Sequence, residues 1–415
     1  MSREPAQRRI DRGWLLATLL VAAIVLVRSF QCFAWPTLDT DDGHLASMFF
    51  ADARFTRIFE PYNGSVTVLP HLGAWLAAQF PVSWWPMLYA AFAGTAAIAS
   101  LSAFASRRFR VFVPSTRVRV LLCVLVALAP HGNARLVSAL LWTHVSFGLL
   151  FALYALAPLP ARGWRRNVDL GWRTLLACSS ALTPAAVPLL LWRAWKRRHR
   201  SERWVHLFLV AAVFVYYALG CRPHENVRHE PLQMLGAFAR LIDQRVIAEA
   251  VIGGAHWPAL GSAVHPLAVA ILLAVGVGSF TLRGPSRLFA VGSFVAIAIM
   301  SAAPVLAREH MGMPDHWWGQ RYTHAQRVLF HLTAGILIYR STRALSAQAR
   351  QAFAIAGLLH AALLATNGSQ HYFGNPTEGR RVVTFFAFAE GWRETERGES
   401  EMLRLQRPGW NITLR

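Results

Sequence analysis

Nine runs of mostly apolar residues, many close to the length a helix needs to cross a hydrocarbon core, are separated by short clusters of arginine. A core of about 30 Å takes roughly 20 such residues, and fewer where protein covers the helix. The pattern predicts an all-α polytopic membrane protein with about nine transmembrane helices. The runs lie at 14–34, 84–106, 118–131, 135–158, 204–220, 264–282, 288–307, 325–340 and 350–366. Composition agrees, because 15% of the residues are charged where a soluble domain carries about 25%. The first run lacks the small-residue cleavage site of a secretory signal and reads as a retained helix.

A further apolar segment, 172–192, has Arg162, Arg165 and Arg166 before it and Arg193, Lys196, Arg197, Arg198 and Arg200 after it. A single crossing would put one cluster outside, against the positive-inside tendency. Thr183, Pro184 and Pro188 interrupt its middle, and proline removes a helix donor. The segment reads as a broken, re-entrant helical hairpin. Such a break is tolerated only where protein or a cavity covers the freed backbone groups.

With the N-terminus in the cytoplasm, the inner segments carry 24 basic residues against 4 acidic, and the outer segments carry 17 against 17. Arg28, inside the first run, completes the 42 basic residues. The formal charge of +21 then belongs to one face and does not mark a nucleic-acid reader, which needs its basic residues on a folded soluble surface. Lys196 is the only lysine, which reads as the codon bias of a GC-rich bacterial genome. The expected location is a bacterial inner (cytoplasmic) membrane. A transmembrane module would occupy 1–366, with outer loops at 35–83, 221–263 and 308–324 and an extracytoplasmic tail at 367–415.

The outer segments hold the chemistry-bearing residues. Asp39-Thr40-Asp41-Asp42-Gly43-His44 follows the first run directly. Adjacent carboxylates at a membrane surface suit a general base or a metal ligand, and the same residues suit a helix N-cap and first turn. Both readings stand. Pro61-Tyr62-Asn63-Gly64 makes a turn, and 69–80 suits an interfacial amphipathic helix. Arg321-Tyr322 precedes the eighth run, with Arg308 and Arg327 nearby. A guanidinium fork there suits a phosphate, and snorkelling toward lipid headgroups explains it equally well. Snorkelling is also the reading for Arg28. His131-Gly132-Asn133 sits at an outer turn. His224-Glu225-Asn226-Val227-Arg228-His229 fails as a zinc-peptidase motif, because the position four residues after His224 is Arg228.

The order of these pieces resembles a group of bacterial multi-pass membrane proteins related to the GT-C glycosyltransferases, which use polyprenyl-phosphate sugars. Asp41-Asp42-Gly43, Pro61-Tyr62-Asn63-Gly64 and Leu69-Pro70-His71 follow one another as the group's motifs do, with His71 standing where the group has arginine. The broken hairpin, Gly319-Gln320-Arg321-Tyr322 and Pro408-Gly409-Trp410 are also similar. The resemblance implies a GT-C-like fold, a lipid-phosphate sugar donor entering from the bilayer, and a glycan or lipid acceptor on the outer face. It implies Asp41 or Asp42 as general base, Arg321, Tyr322 and Arg308 on the donor phosphate, and Tyr62, Asn63, His71 and Asn133 in substrate binding. A divalent metal, Mg or Mn, would sit on Asp41 and Asp42 if the chemistry is metal-dependent. Two other functions compete with this hexosyl- or pentosyltransferase. A lipid or polysaccharide flippase would place ionisable groups at the midplane and show paired broken helices. An inactive scaffold for envelope-polysaccharide assembly would fit the departure at His71.

Overall fold

The structure is a computed structural model and describes residues 11–34, 40–61, 66–129, 139–160, 163–196, 200–220, 231–253, 257–307, 323–343, 345–373, 402–404 and 411–413. Among the described residues the apolar runs fall on helices, the first of them on two. The first eight helices are α1 (Arg12–Arg28), α2 (Phe30–Ala34), α3 (Thr40–Ala51), α4 (Val68–Ala77), α5 (Trp85–Ser102), α6 (Thr116–Leu128), α7 (Thr143–Leu156) and α8 (Trp164–Ala177). They are followed by α9 (Val187–Lys196), α10 (Arg200–Gly220), α11 (Pro231–Arg240), α12 (Glu249–Val251), α13 (Val264–Thr281), α14 (Gly284–Ala307), α15 (His324–Thr342) and α16 (Ala347–Phe373). The only strands among the described residues form a small antiparallel ribbon in the tail, β1 (Met402–Arg404) and β2 (Asn411–Thr413), with Leu403 opposite Ile412.

Four helical stretches are long and apolar enough to cross a membrane: Val82–Val111, Ser201–Leu219, Leu260–Thr281 and Gly284–Val305. Protein covers only 11% of the most apolar window of the third, and Leu273 and Val277 on it lie open. Leu19, Val27, Phe214 and Leu219 are similarly exposed. So much outward apolar surface suits a lipid solvent and not water. At the centre stands α7, buried on nearly every face, as a helix apolar all round must be. It packs against α4, α5, α8, α9, α14 and α15.

The first run is not one helix. Asp11 caps α1, its side chain accepting from the Trp14 N–H, and the helix stops at Ser29 before α2 begins. Arg28 does not snorkel. It is buried and donates to the carbonyls of Ala127 and Ala129 at 2.7 and 3.0 Å, filling acceptors that the end of α6 leaves open. Other arginines do the same at other helix ends. Arg193 donates to Leu156 and Ala157 at the end of α7, Arg173 to Tyr154, and Arg340 to Phe112. Arg119 reaches Ala105, Val113 and Pro114 around the turn that leads into α6.

Segment 172–192 is broken as its prolines predict. After α8 the chain turns through 178–182, makes a short 3-10 turn at Thr183–Ala186, and re-forms as α9. The freed backbone groups are covered by protein. The Cys178 carbonyl accepts from the Val68 N–H at 3.2 Å, and the Ser179 hydroxyl accepts from the Leu69 N–H at 3.2 Å. Thr183 donates to the carbonyls of Ala177 and Ser180, and Tyr217 of α10 donates to Ala181. The N-terminus of α4 is thereby fastened to the tip of the break. The segment 221–263, expected as an outer loop, contains a helical rod. α11 continues through a π-type stretch, Leu241–Ala248, into α12. Leu241, Val246, Ile247 and Ala250 are buried, and the π-type stretch packs on α13, α14 and α15.

Candidate functional site

The acidic motif opens α3, and the two carboxylates part company there. Asp42 is fully buried, and its two oxygens accept from the backbone N–H groups of Leu140 and Leu141, at 2.9 Å each. Those residues belong to the turn before α7, which the Thr143 hydroxyl tightens by donating to the Leu140 carbonyl at 2.6 Å. Asp42 therefore pins α3 to the turn that leads into the central helix. A carboxylate used this way spends one lone pair of each oxygen on the fold. Asp41 lies in the same helix, and its side chain falls outside the described residues.

Below this contact α3, α4 and α5 meet in an apolar cluster of Leu45, Ala46, Phe49, Ala74, Ala77, Trp85, Tyr89, Leu140 and Leu141. His71 enters it edge-on to Phe49, with ring centroids 6.4 Å apart. Its Nδ1 lies 2.8 Å from the Thr67 carbonyl and 3.0 Å from the Thr67 hydroxyl, one helical turn back. Burial pushes the imidazole below its usual range, a shift partly opposed by the Thr67 carbonyl. Two polar atoms here have no partner among the described residues: His71 Nε2 and the Tyr89 hydroxyl. Farther out, Arg54 and Arg57 pair with Asp52. Arg57 also donates to the Met48 carbonyl near the end of α3, and the Trp75 indole donates to Ala53. Strand β2 of the tail lies against α3.

A second polar cluster lies where the π-type stretch meets α15. Glu249, fully buried, pairs with Arg245 and, at 2.5 Å, with Arg327, which also donates to the Thr323 hydroxyl at 2.6 Å. His331 bridges the carbonyls of Arg327 and Ala250, at 2.8 and 2.9 Å. Asp243 pairs with half-exposed His265. A π-type stretch of this kind is rare and frequently marks function.

Of the residues expected at the site, the structure brings Asp42 and His71 to one junction. Tyr62, Asn63, Asn133, Arg308, Arg321 and Tyr322 lie outside the described residues. Arg327, which the sequence placed only near Arg321, is instead an internal ion-pair partner. Among the described residues no three His, Cys, Asp or Glu side chains converge as metal ligands do. Thr67 and Tyr89 escaped notice because nothing in the sequence ties them to His71 or Asp42. The Glu249 cluster carried a signal, since Asp243, Arg245 and Glu249 interrupt an otherwise apolar stretch, and ionisable groups in such settings point to function. No family model, curated protein or solved structure matches the chain.

Proposed function

We propose that the protein is a membrane glycosyltransferase of GT-C type. It moves a sugar with inversion from a polyprenyl-phosphate donor to a glycan or lipid acceptor on the outer face of a bacterial cytoplasmic membrane. The chain would cross the membrane nine times, with its N-terminus inside, its C-terminus outside and the 172–192 hairpin re-entering from the cytoplasmic side. The observation that carries the reading is the anchoring of the acidic helix. A loop that begins with two carboxylates is pinned by Asp42 to the turn before the central helix and fastened by α4 to the tip of the broken hairpin.

In this scheme the two acids divide the work. Asp42 positions the helix, and Asp41, one residue before it, takes the proton of the acceptor hydroxyl as that oxygen attacks the anomeric carbon. The bond from the anomeric carbon to the phosphate oxygen breaks, and polyprenyl phosphate leaves with the electron pair. Arg308, Arg321 and Tyr322, just ahead of α15 in the chain, would stabilise its charge. A divalent metal held with Asp41 would serve the same end.

One observation favours transport instead, namely the ion-paired cluster of Arg245, Glu249 and Arg327 buried between helices, since buried ionisable groups recur along transport pathways. Release of polyprenyl phosphate from a panel of lipid-phosphate sugars, by purified wild type, Asp41→Asn and Asp42→Asn, separates the two. Glycosyl transfer requires turnover by wild type and a loss of at least about 100-fold in Asp41→Asn. Turnover indifferent to both substitutions removes the acids from the chemistry. Absence of turnover with every donor, together with movement of a labelled lipid across proteoliposomes, establishes transport.

A further inference from the structure

The environment of His71 fixes which of its nitrogens carries hydrogen. The Thr67 carbonyl, 2.8 Å from Nδ1, can only accept, so Nδ1 must be the donor. Burial disfavours the imidazolium, and a neutral ring with hydrogen on Nδ1 has none on Nε2. That nitrogen is therefore a bare acceptor. It is buried and meets no donor among the described residues, whereas buried polar atoms are as a rule paired. The Tyr89 hydroxyl, in the cluster that Phe49 shares with it, has no partner among them either. Two polar atoms at one helix junction thus lack the complement that a polar ligand would bring.

The tautomer sharpens what that ligand is. A bare ring nitrogen only accepts, so it reads hydroxyl or N–H donors and has nothing to offer an anion. We propose that His71 Nε2 accepts a hydrogen bond from a hydroxyl of the bound sugar, so that the first outer loop reads a polyol here and not an anion. That the hydroxyl belongs to a sugar rests on the glycosyl-transfer reading, while the open acceptor rests on the geometry alone. The fastening of α4 to Cys178 and Ser179 holds the ring in place before any ligand arrives, which lowers the cost of binding.

The test is nitrogen NMR of the full chain, histidine-labelled with nitrogen-15, in lipid nanodiscs at neutral pH. Comparison with His71→Gln assigns the signal among the 16 histidines. The probes are methyl hexosides, methyl pentosides and inorganic phosphate. The expected result is an unprotonated Nε2 in the free protein that shifts toward a hydrogen-bonded value with at least one glycoside and stays put with phosphate. A protonated Nε2 in the free protein, or a shift with phosphate alone or with no probe, overturns the proposal. Should His71→Gln not fold, His71 can be assigned by labelling Thr67 and observing its contact to the ring. Where a donor turns over, His71→Leu should raise KM about fivefold to tenfold for that donor, the loss of one neutral hydrogen bond. The same variant should match wild type on the deoxy analogue lacking the recognised hydroxyl. A glycoside-dependent shift without turnover keeps this inference and removes glycosyl transfer, and turnover without any shift does the opposite.

Discussion

At the scale of single residues, Asp42 and His71 show how one side chain can serve both fold and chemistry. Asp42→Asn replaces one acceptor oxygen by an amide donor that faces a backbone N–H. The expected cost is about 1–3 kcal/mol of stability, read as a lower melting temperature in detergent. Asp41→Asn should melt like wild type. His71 predicts a pH dependence whose sign follows from burial. Its folded pKa lies below the ordinary 6.5, so the unfolded chain takes up a proton that the folded chain refuses. The stabilisation is complete above pH 6.5 and is lost as pH falls below it. The wild-type melting temperature should therefore drop relative to His71→Gln as pH falls below 6.5, and parallel curves would remove the burial argument.

At the scale of elements, the broken hairpin and the central helix approach each other closely, and a glycine permits it. A Cβ on Gly148 of α7 would lie 2.6 Å from Ser180 Oγ and 2.8 Å from Leu182 Cβ. Gly148→Ala should destabilise by about 1–3 kcal/mol through overpacking. Gly276→Ala in α13, where nothing lies within 4 Å, should be neutral or stabilise by up to about 1 kcal/mol. Equal effects in chemical denaturation would contradict the packing. The elements were also where the sequence was most readable. Apolar runs fall where helices form among the described residues, and Pro184 and Pro188 fall beside the break, because both signals are local. Local signals mislead at Ser29, where α1 stops inside an apolar run that Arg28, Ser29 and Gln31 interrupt, and at Leu241–Ala248, where a rod replaces an expected loop. Both features depend on partners far along the chain, Ala127 and Ala129 for Arg28 and Arg327 for Glu249. Of the candidate site, the sequence marks Asp41-Asp42 as a carboxylate pair, but that Asp42 is spent on the N–H groups of Leu140 and Leu141 depends on a turn far along the chain.

At the scale of the whole molecule, the charge asymmetry predicts orientation. In a cysteine-free background, Ser115→Cys and Ser346→Cys should resist a membrane-impermeant maleimide in intact cells and react after permeabilisation. Ser83→Cys should react in both conditions, and the reverse pattern would invert the topology. The arginines that set this asymmetry are in several cases the ones that grip backbone carbonyls. Arg193 spans Leu156 and Ala157, and Arg119 gathers three carbonyls with one fork. A lysine carries the same charge, but its single ammonium lacks the planar spread to grip several carbonyls along a fork. Arg193→Lys or Arg119→Lys should leave the labelling pattern intact and lower the melting temperature. With the predicted orientation, insertion and final packing draw on one set of residues at different moments, first as charge that decides which side stays behind, then as shape that clasps the ends of helices already in place.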